Sequence, residues 1–184
     1  MTWKIDPVHT EIEFTARHMM IAKVHGRFKS FEGTIDLDPK HPAKARVEGS
    51  IDVSSIDTRE AQRDTHLRSP DFFDVEKYPK MTFRSTRIEP LGANQYKVYG
   101  DLTIKDVTRE VVFDAVDEGR TTDPWGNQRI GVSATTKINR KDFGLTWNVA
   151  LETGGWLVGD DITINAEVEL VAESEAEPEV AAPA

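Results

Sequence analysis

Arg59, Arg63, Asp64, His66 and Arg68 crowd five polar, chemically capable side chains into ten consecutive positions. On a helix Arg59 and Arg63 would sit one turn apart on the same face. Such a cluster has two uses. It can be a salt-bridged network that fixes a non-β insert to the body of the fold, which is the preferred reading for Arg63 and Asp64. Alternatively it is a polar collar for a ligand head group such as a pyrophosphate or a quinone oxygen, since the arginine fork suits phosphate. The histidines are His9, His18, His25, His41 and His66, and no HxH or HxxxH spacing brings them together as metal ligands. His18 follows Phe14 and Ala16 on one parity, so it reads as a satisfied core histidine or a polar contact to a ligand. There is no GxSxG elbow, P-loop or GxGxxG, and no cysteine to act as nucleophile or thiolate ligand. The expectation is a protein that is not an enzyme and holds no cofactor and no metal.

A second set is apolar and adaptable. Phe14, Met19, Met20, Phe28, Phe31, Leu67, Phe72, Phe73, Met81, Phe83, Phe143 and Trp147 are the candidate walls of an apolar pocket. Arg63, His66 and His18 are the candidate polar contacts at its edge. Adjacent Met19 and Met20 suit a site that must fit a flexible ligand, because methionine adapts its shape. Phe72 and Phe73 cannot face the same way from one short turn, so one is expected to cap the mouth while the other anchors the turn. The competing reading of the whole set is plain barrel core.

The elements that must position these residues follow from period-two alternation. Ala45, Val47, Gly49, Ile51 and Val53 share one parity against Lys44, Arg46, Glu48, Ser50 and Asp52. Residues 130–138 and 162–170 repeat the pattern, and 12–18, 31–37, 81–85, 96–104 and 111–115 follow it. Together they make eight half-buried strands with a short lead-in at Trp3–Ile5. Residues 54–79 break the alternation. There Asp57 or Thr58 is expected to cap a short helix ended by Pro70, with a second helical turn over Asp71–Val75. An all-β chain of eight long antiparallel strands must hide one apolar face, and closure into a barrel also removes sheet edges. Small inward residues (Ala16, Gly33, Ala45, Gly49, Gly100, Ala134, Ala166) beside large aromatics point to space lined by apolar walls, or else to bends in the strands.

The 184 residues suffice for one domain, 1–172, with 173–184 (ESEAEPEVAAPA) expected to be an acidic disordered tail. The net charge of −9 argues against nucleic acid and against docking on anionic lipid by overall charge. No apolar run reaches the ~20 residues of a membrane span. The opening MTWKIDPVHT has neither the basic nor the apolar region of an export signal, so a cytoplasmic location is expected.

Four segments in order, WKIDPVHTEIEFTARHM, SIDTREAQRDTHLRSPDFFDVEKYPKMTFRST, GDLTIKDVTREV and INRKDFGL, resemble the YceI-like family over residues 2–171. The resemblance implies a lipocalin-like, extended antiparallel barrel with a short helical insert. It also implies an interior that binds, stores or transports a long apolar lipid, a polyisoprenoid or an isoprenoid quinone or its precursor. Homodimers occur in the family. The alternatives kept beside this reading are an enzyme acting on such a lipid or amide, and a protein-interaction module using the acidic tail.

Overall fold

The computed structural model describes residues 1–155 and 157–173. The alternating segments are strands, and every pairing is antiparallel: β1 (Thr2–Ile5), β2 (Glu11–His18), β3 (Ala22–Phe28), β4 (Phe31–Asp36), β5 (Arg46–Asp52), β6 (Ile56–Asp57), β7 (Lys80–Gly92), β8 (Gln95–Ile104), β9 (Val107–Thr122), β10 (Gln128–Asn139) and β11 (Val158–Ala172). Among the described residues one α-helix, α1 (Ala61–Arg68), interrupts them between β6 and β7.

These pieces make eight staves. β1 and β2 form one stave broken at Asp6–Thr10, β3 and β4 one broken at Lys29–Ser30, and β5 and β6 one broken at Val53–Ser55. Each break keeps its backbone groups satisfied, as burial requires. The Asp6 carboxylate accepts from Val8 N at 3.0 Å, and the Ser55 hydroxyl accepts from Lys29 N and Ser30 N at 3.1 and 3.0 Å. The long β11 closes the ring. One edge pairs with β10, while the other pairs with β2 over Val158–Glu167 and with β1 through Leu170–Ala172. Since β1 also pairs with β4, the circuit is complete and the molecule is a closed eight-stave up-and-down barrel with one short helix.

Several details depart from the sequence reading. Ala22–Phe28 was not expected as a strand, yet it pairs with β2 from Ile12↔Phe28 to His18↔Ala22. Its inward parity is Val24, Gly26 and Phe28, and the gap at Gly26 hides the alternation. The end of the Phe14 ring occupies that gap, where any Cβ would collide with it. Gly100 likewise receives the Phe83 ring, and Gly33 the end of Ile5. Part of the space implied by small inward residues is therefore filled by neighbouring side chains.

The insert also differs. The cap of α1 is Glu60, whose carboxylate accepts from Arg63 N, rather than Asp57 or Thr58. Those two are already engaged: Asp57 accepts from Arg59 N at 2.9 Å, and Thr58 donates its N–H to buried Asp64 at 2.9 Å. Asp71–Val75 is a run of turns, held by Phe72 N and Asp74 N donating to the Ser69 carbonyl at 3.0 and 2.9 Å, and not a second helix. Glu173 is still tied to the barrel through its N–H to Thr2 O at 2.9 Å and its ion pair with Lys4. The expected disordered tail falls, from Ser174 onward, outside the described residues.

Candidate ligand-binding cavity

The inward faces of the staves do not fill the barrel. They leave a cavity of about 310 Å³ with almost wholly apolar walls. On β11 alone the wall runs from Val158 through Ile162, Ile164 and Ala166 to Val168. Ten residue steps at ~3.3 Å each, tilted by ~40°, spread this lining over roughly 25 Å along the barrel. Thr34, Glu13 and Glu48 touch it only from outward-facing positions, where their side chains are exposed. Arg140 is the one charged side chain that is itself buried against this space.

Arg140 is held by backbone carbonyls. It donates to the carbonyls of Gly159 (2.9 Å), Leu145 (2.6 Å), Trp147 (3.0 Å) and Val158 (3.3 Å). Burial pushes its pKa down, opposed by Asp160 3.7 Å away. With four of its five N–H groups bonded to carbonyls and the charge facing Asp160, it pins the 144–158 segment across the barrel end.

Seven of the expected wall residues border the cavity: Phe14, Phe28, Leu67, Phe72, Phe73, Met81 and Phe83. Phe73 packs edge-on against Phe28 at 6.2 Å, and Phe28 against Phe14 at 5.6 Å, a row of rings leading inward from the insert. Phe72 turns the other way, to Trp147 at 5.3 Å and His66 at 5.1 Å. His66 meets Trp147 edge-on at 4.6 Å and bonds Asp71 at 2.8 Å. These three rings bring the insert and the 144–158 segment together over one end of the barrel, so His66 and Trp147 form its roof and not its wall.

The remaining candidates lie elsewhere. Arg63 bonds the hydroxyl and carbonyl of Thr58 at 2.8 and 2.7 Å, which places it in the network that holds the insert. Phe143 is buried in the core on a 3-10 turn. Phe31 borders a more polar groove on the flank of the barrel, beside Gly33 and Gly49. His18 ends β2, half-buried, and Met19 and Met20 stand exposed on the following turn. Aliphatic wall residues such as Ile12, Ile51, Val98, Leu102, Ile138 and Ile164 were absent from the candidate set. Their inward parity is legible in the alternation, which aromatic or methionine character alone does not capture.

The far end is sealed differently. Trp3, Ile130 and Leu170 pack there with Ile5, Ile35 and Val168. Outside them Arg129 bonds Asp6 at 2.8 Å, Asp123 at 2.8 Å and Glu169 at 2.7 Å. Hydrogen bonds from His9 and Arg129 hold the Asp6 carboxyl down to about 2, and Arg129 does the same for Asp123. Asp6, His9 and Glu169 lie close enough to share a cation, but the Arg129 guanidinium bridges Asp6 and Glu169.

A closed barrel with a long apolar interior, roofed by a helical insert, belongs to the class of barrels built to enclose a hydrophobic molecule. Residues 3–170 match the YceI-like domain, and the chain belongs to that family. It is 39% identical over 168 residues to a UPF0312 protein of Staphylococcus epidermidis, covering 91% of this chain and 95% of the relative. It is 40% identical over 137 residues to a UPF0312 protein of Vibrio cholerae, covering 74% and 72%. Among solved structures, BcnA of Burkholderia cenocepacia superposes with a TM-score of 0.76 at 26% identity, covering 92% of this chain and 99% of that one. A polyisoprenoid binding domain from Saccharophagus degradans, implicated in plant cell wall breakdown, shares the fold with a TM-score of 0.72 at 14% identity, covering 93% and 98%.

Proposed function

We propose that this protein binds one long apolar lipid, a polyisoprenoid or isoprenoid-quinone type molecule, inside the barrel and stores or carries it through water. The observation that supports this most directly is the elongated apolar cavity, whose length suits a chain and whose walls offer no polar anchor. Each methylene-sized group buried there contributes about 0.8 kcal/mol, so several isoprene units outweigh the cost of ordering a flexible chain. The relationship to a fold solved as a polyisoprenoid binding domain points to the same ligand class. The wall residues assigned to contact are Phe14, Phe28, Leu67, Phe72, Phe73, Met81 and Phe83, with the aliphatic inward positions of β10 and β11 completing the tunnel.

The role is binding, not turnover. The polar residues nearest the mouth, Arg63, His66 and Arg140, are each tied by hydrogen bonds to structural partners, and none forms a nucleophile–base pair. Among the described residues no helix is long and apolar enough to cross a membrane. The test is native mass spectrometry of freshly purified protein, followed by solvent extraction and lipid mass analysis. A bound species whose mass series steps by one isoprene unit is the expected result. Protein that emerges empty and ignores added polyprenyl and quinone probes would sink the reading.

A further inference from the structure

The turn between β2 and β3 sets Met19, Met20 and Ile21 side by side at 44%, 54% and 84% exposure. Single exposed apolar residues are ordinary, but three in succession on a projecting tip form a patch. Met19 and Met20 both have positive φ, 52° and 66°, where a turn built for water would use asparagine or glycine. The tip is braced from beside it: Met19 N donates to Leu157 O at 2.8 Å, and Leu157 N to the carbonyl of exposed Val149 at 2.9 Å. Met20 packs against Gly155 of the same segment.

The charge of this hairpin is opposite to that of the protein, the nearest acid of the bracing turn being exposed Glu152. Residues 14–31 carry Arg17, Lys23, Arg27 and Lys29 with no Asp or Glu, in a chain of net charge −9. Arg27 and Lys29 pair with Asp57 farther from the tip. Arg17 and Lys23, which flank the tip, have no ion pair among the described residues and are exposed. The acids nearest them on β11 are already taken, Asp160 by Arg140 and Lys141, and Asp161 by Lys137.

We infer that the β2–β3 hairpin docks this protein on an anionic phospholipid bilayer, Met19, Met20 and Ile21 entering the acyl boundary while Arg17 and Lys23 meet head-group phosphates. An apolar tip framed by long cationic side chains has the composition of an interfacial anchor. A convex tip of three residues is too small for a protein partner, which needs on the order of 1,000 Å² of complementary surface; a bilayer asks for no matching shape. Two copies would oppose their own cations. The acidic remainder of the barrel would be repelled from the same surface, which fixes orientation. This inference rests on the proposed lipid binding, because the hairpin rises at the end roofed by Trp147, His66 and Phe72 and would bring that mouth to the membrane where such lipids dissolve.

The experiment is sedimentation of the full chain with vesicles of phosphatidylglycerol and phosphatidylcholine, against phosphatidylcholine alone, at low and high salt. Wild type is expected to partition onto the anionic vesicles and to be released by salt. Each surface cation contributes about fivefold to such binding, so an Arg17→Glu, Lys23→Glu double variant should lose at least ~25-fold. Ile21→Glu should weaken binding about tenfold or more by removing the inserted side chain. All three positions are exposed, and unchanged circular dichroism checks folding. No partition by wild type, equal binding by the variants, or self-association that Ile21→Glu abolishes would overturn the docking role. Uptake of a soluble short prenyl probe, measured without vesicles, reports on the cavity independently. A protein that takes the probe but ignores vesicles loses only the hairpin assignment, and one that binds vesicles through the hairpin but refuses the probe keeps docking and loses the cavity reading.

Discussion

The two ends of this barrel are closed by different physics. At the Trp3 end the strand ladder itself closes, β1 bridging β4 and β11, and an ion network around Arg129 lies over an apolar seal. At the α1 end no ladder crosses the opening. A mostly polar helix and an irregular segment lean together through His66, Phe72 and Trp147, and are held by arginines donating to backbone carbonyls: Arg68 to Ser54 and Ile56, Arg140 to four others. Ladder hydrogen bonds open only when strands separate, whereas a roof of side-chain contacts can open by itself. On the proposed function, the α1 end is the entrance and the Trp3 end the floor that limits ligand length.

The largest effect tests that asymmetry from the middle. Ala134 and Ala166 are cross-strand partners and both border the cavity. Ala134→Phe places a ring across it. If about five methylene-sized groups lose their place, the affinity for a long chain falls by ~4 kcal/mol, near a thousandfold. The thermal midpoint of the empty protein should hold or rise as the ring fills a void. A short prenyl probe that still binds this variant places entry at the α1 end; one that is excluded as well breaks the comparison.

Next in size is the pin of the roof. Arg140→Met leaves four carbonyls without their donor and should cost about 3–5 kcal/mol in denaturant unfolding. Arg129→Met at the floor should cost less, because its partners are carboxylates, which can take up protons when the cation is lost, as carbonyls cannot. Equal losses would mean that the ends are not different in kind. A smaller effect is expected at the mouth itself. Phe73→Asp sets a carboxylate against Phe28 and should weaken lipid binding by about 2 kcal/mol, some thirtyfold, with the β-sheet circular dichroism intact. Phe73→Leu should recover most of that affinity.

The floor and walls were far more legible in the sequence than the roof. Alternation on β5, β10 and β11 gave their facing residue by residue, because a half-buried strand repeats every two positions. It failed at β3, where Gly26 interrupts the inward row and the filling ring comes from Phe14, a residue twelve positions away. The helix cap was misplaced because Asp57 and Thr58, good caps locally, are consumed by Arg59 and Asp64 through the folded insert. Six aromatic and sulfur-bearing wall residues stand out by type, yet Met19 and Met20, of the same type, lie on the outside. Residue type tells what a side chain tolerates; only parity and tertiary register tell which way it points.

The smallest effect separates the ends by pH. Asp6, held down to about 2 by His9 and then Arg129, and Asp123, held down to about 2 by Arg129, lie below the ordinary carboxylate value of 3.8. A depressed carboxyl contributes stability that is fully present above its unfolded value and is lost as pH falls through its folded one. The floor should therefore hold to about pH 4 and loosen between pH 4 and 2. His9 has the opposite sign: its pKa is raised, chiefly by the hydrogen bond to Asp6, so its contribution is complete below 6.5 and disappears as pH climbs through the raised value. Asp123 and Asp6 keep only 6% and 14% of their side chains exposed while His9 keeps 57%, so salt screens the His9 contribution more than that of the two carboxyls. Arg140 does not titrate in this range, and the roof should not respond through it. Following indole N–H resonances by NMR, acid between pH 4 and 2 should shift Trp3 well before Trp147. Arg129→Gln should remove that order, and simultaneous movement of both in the wild type would show that the two ends open as one unit.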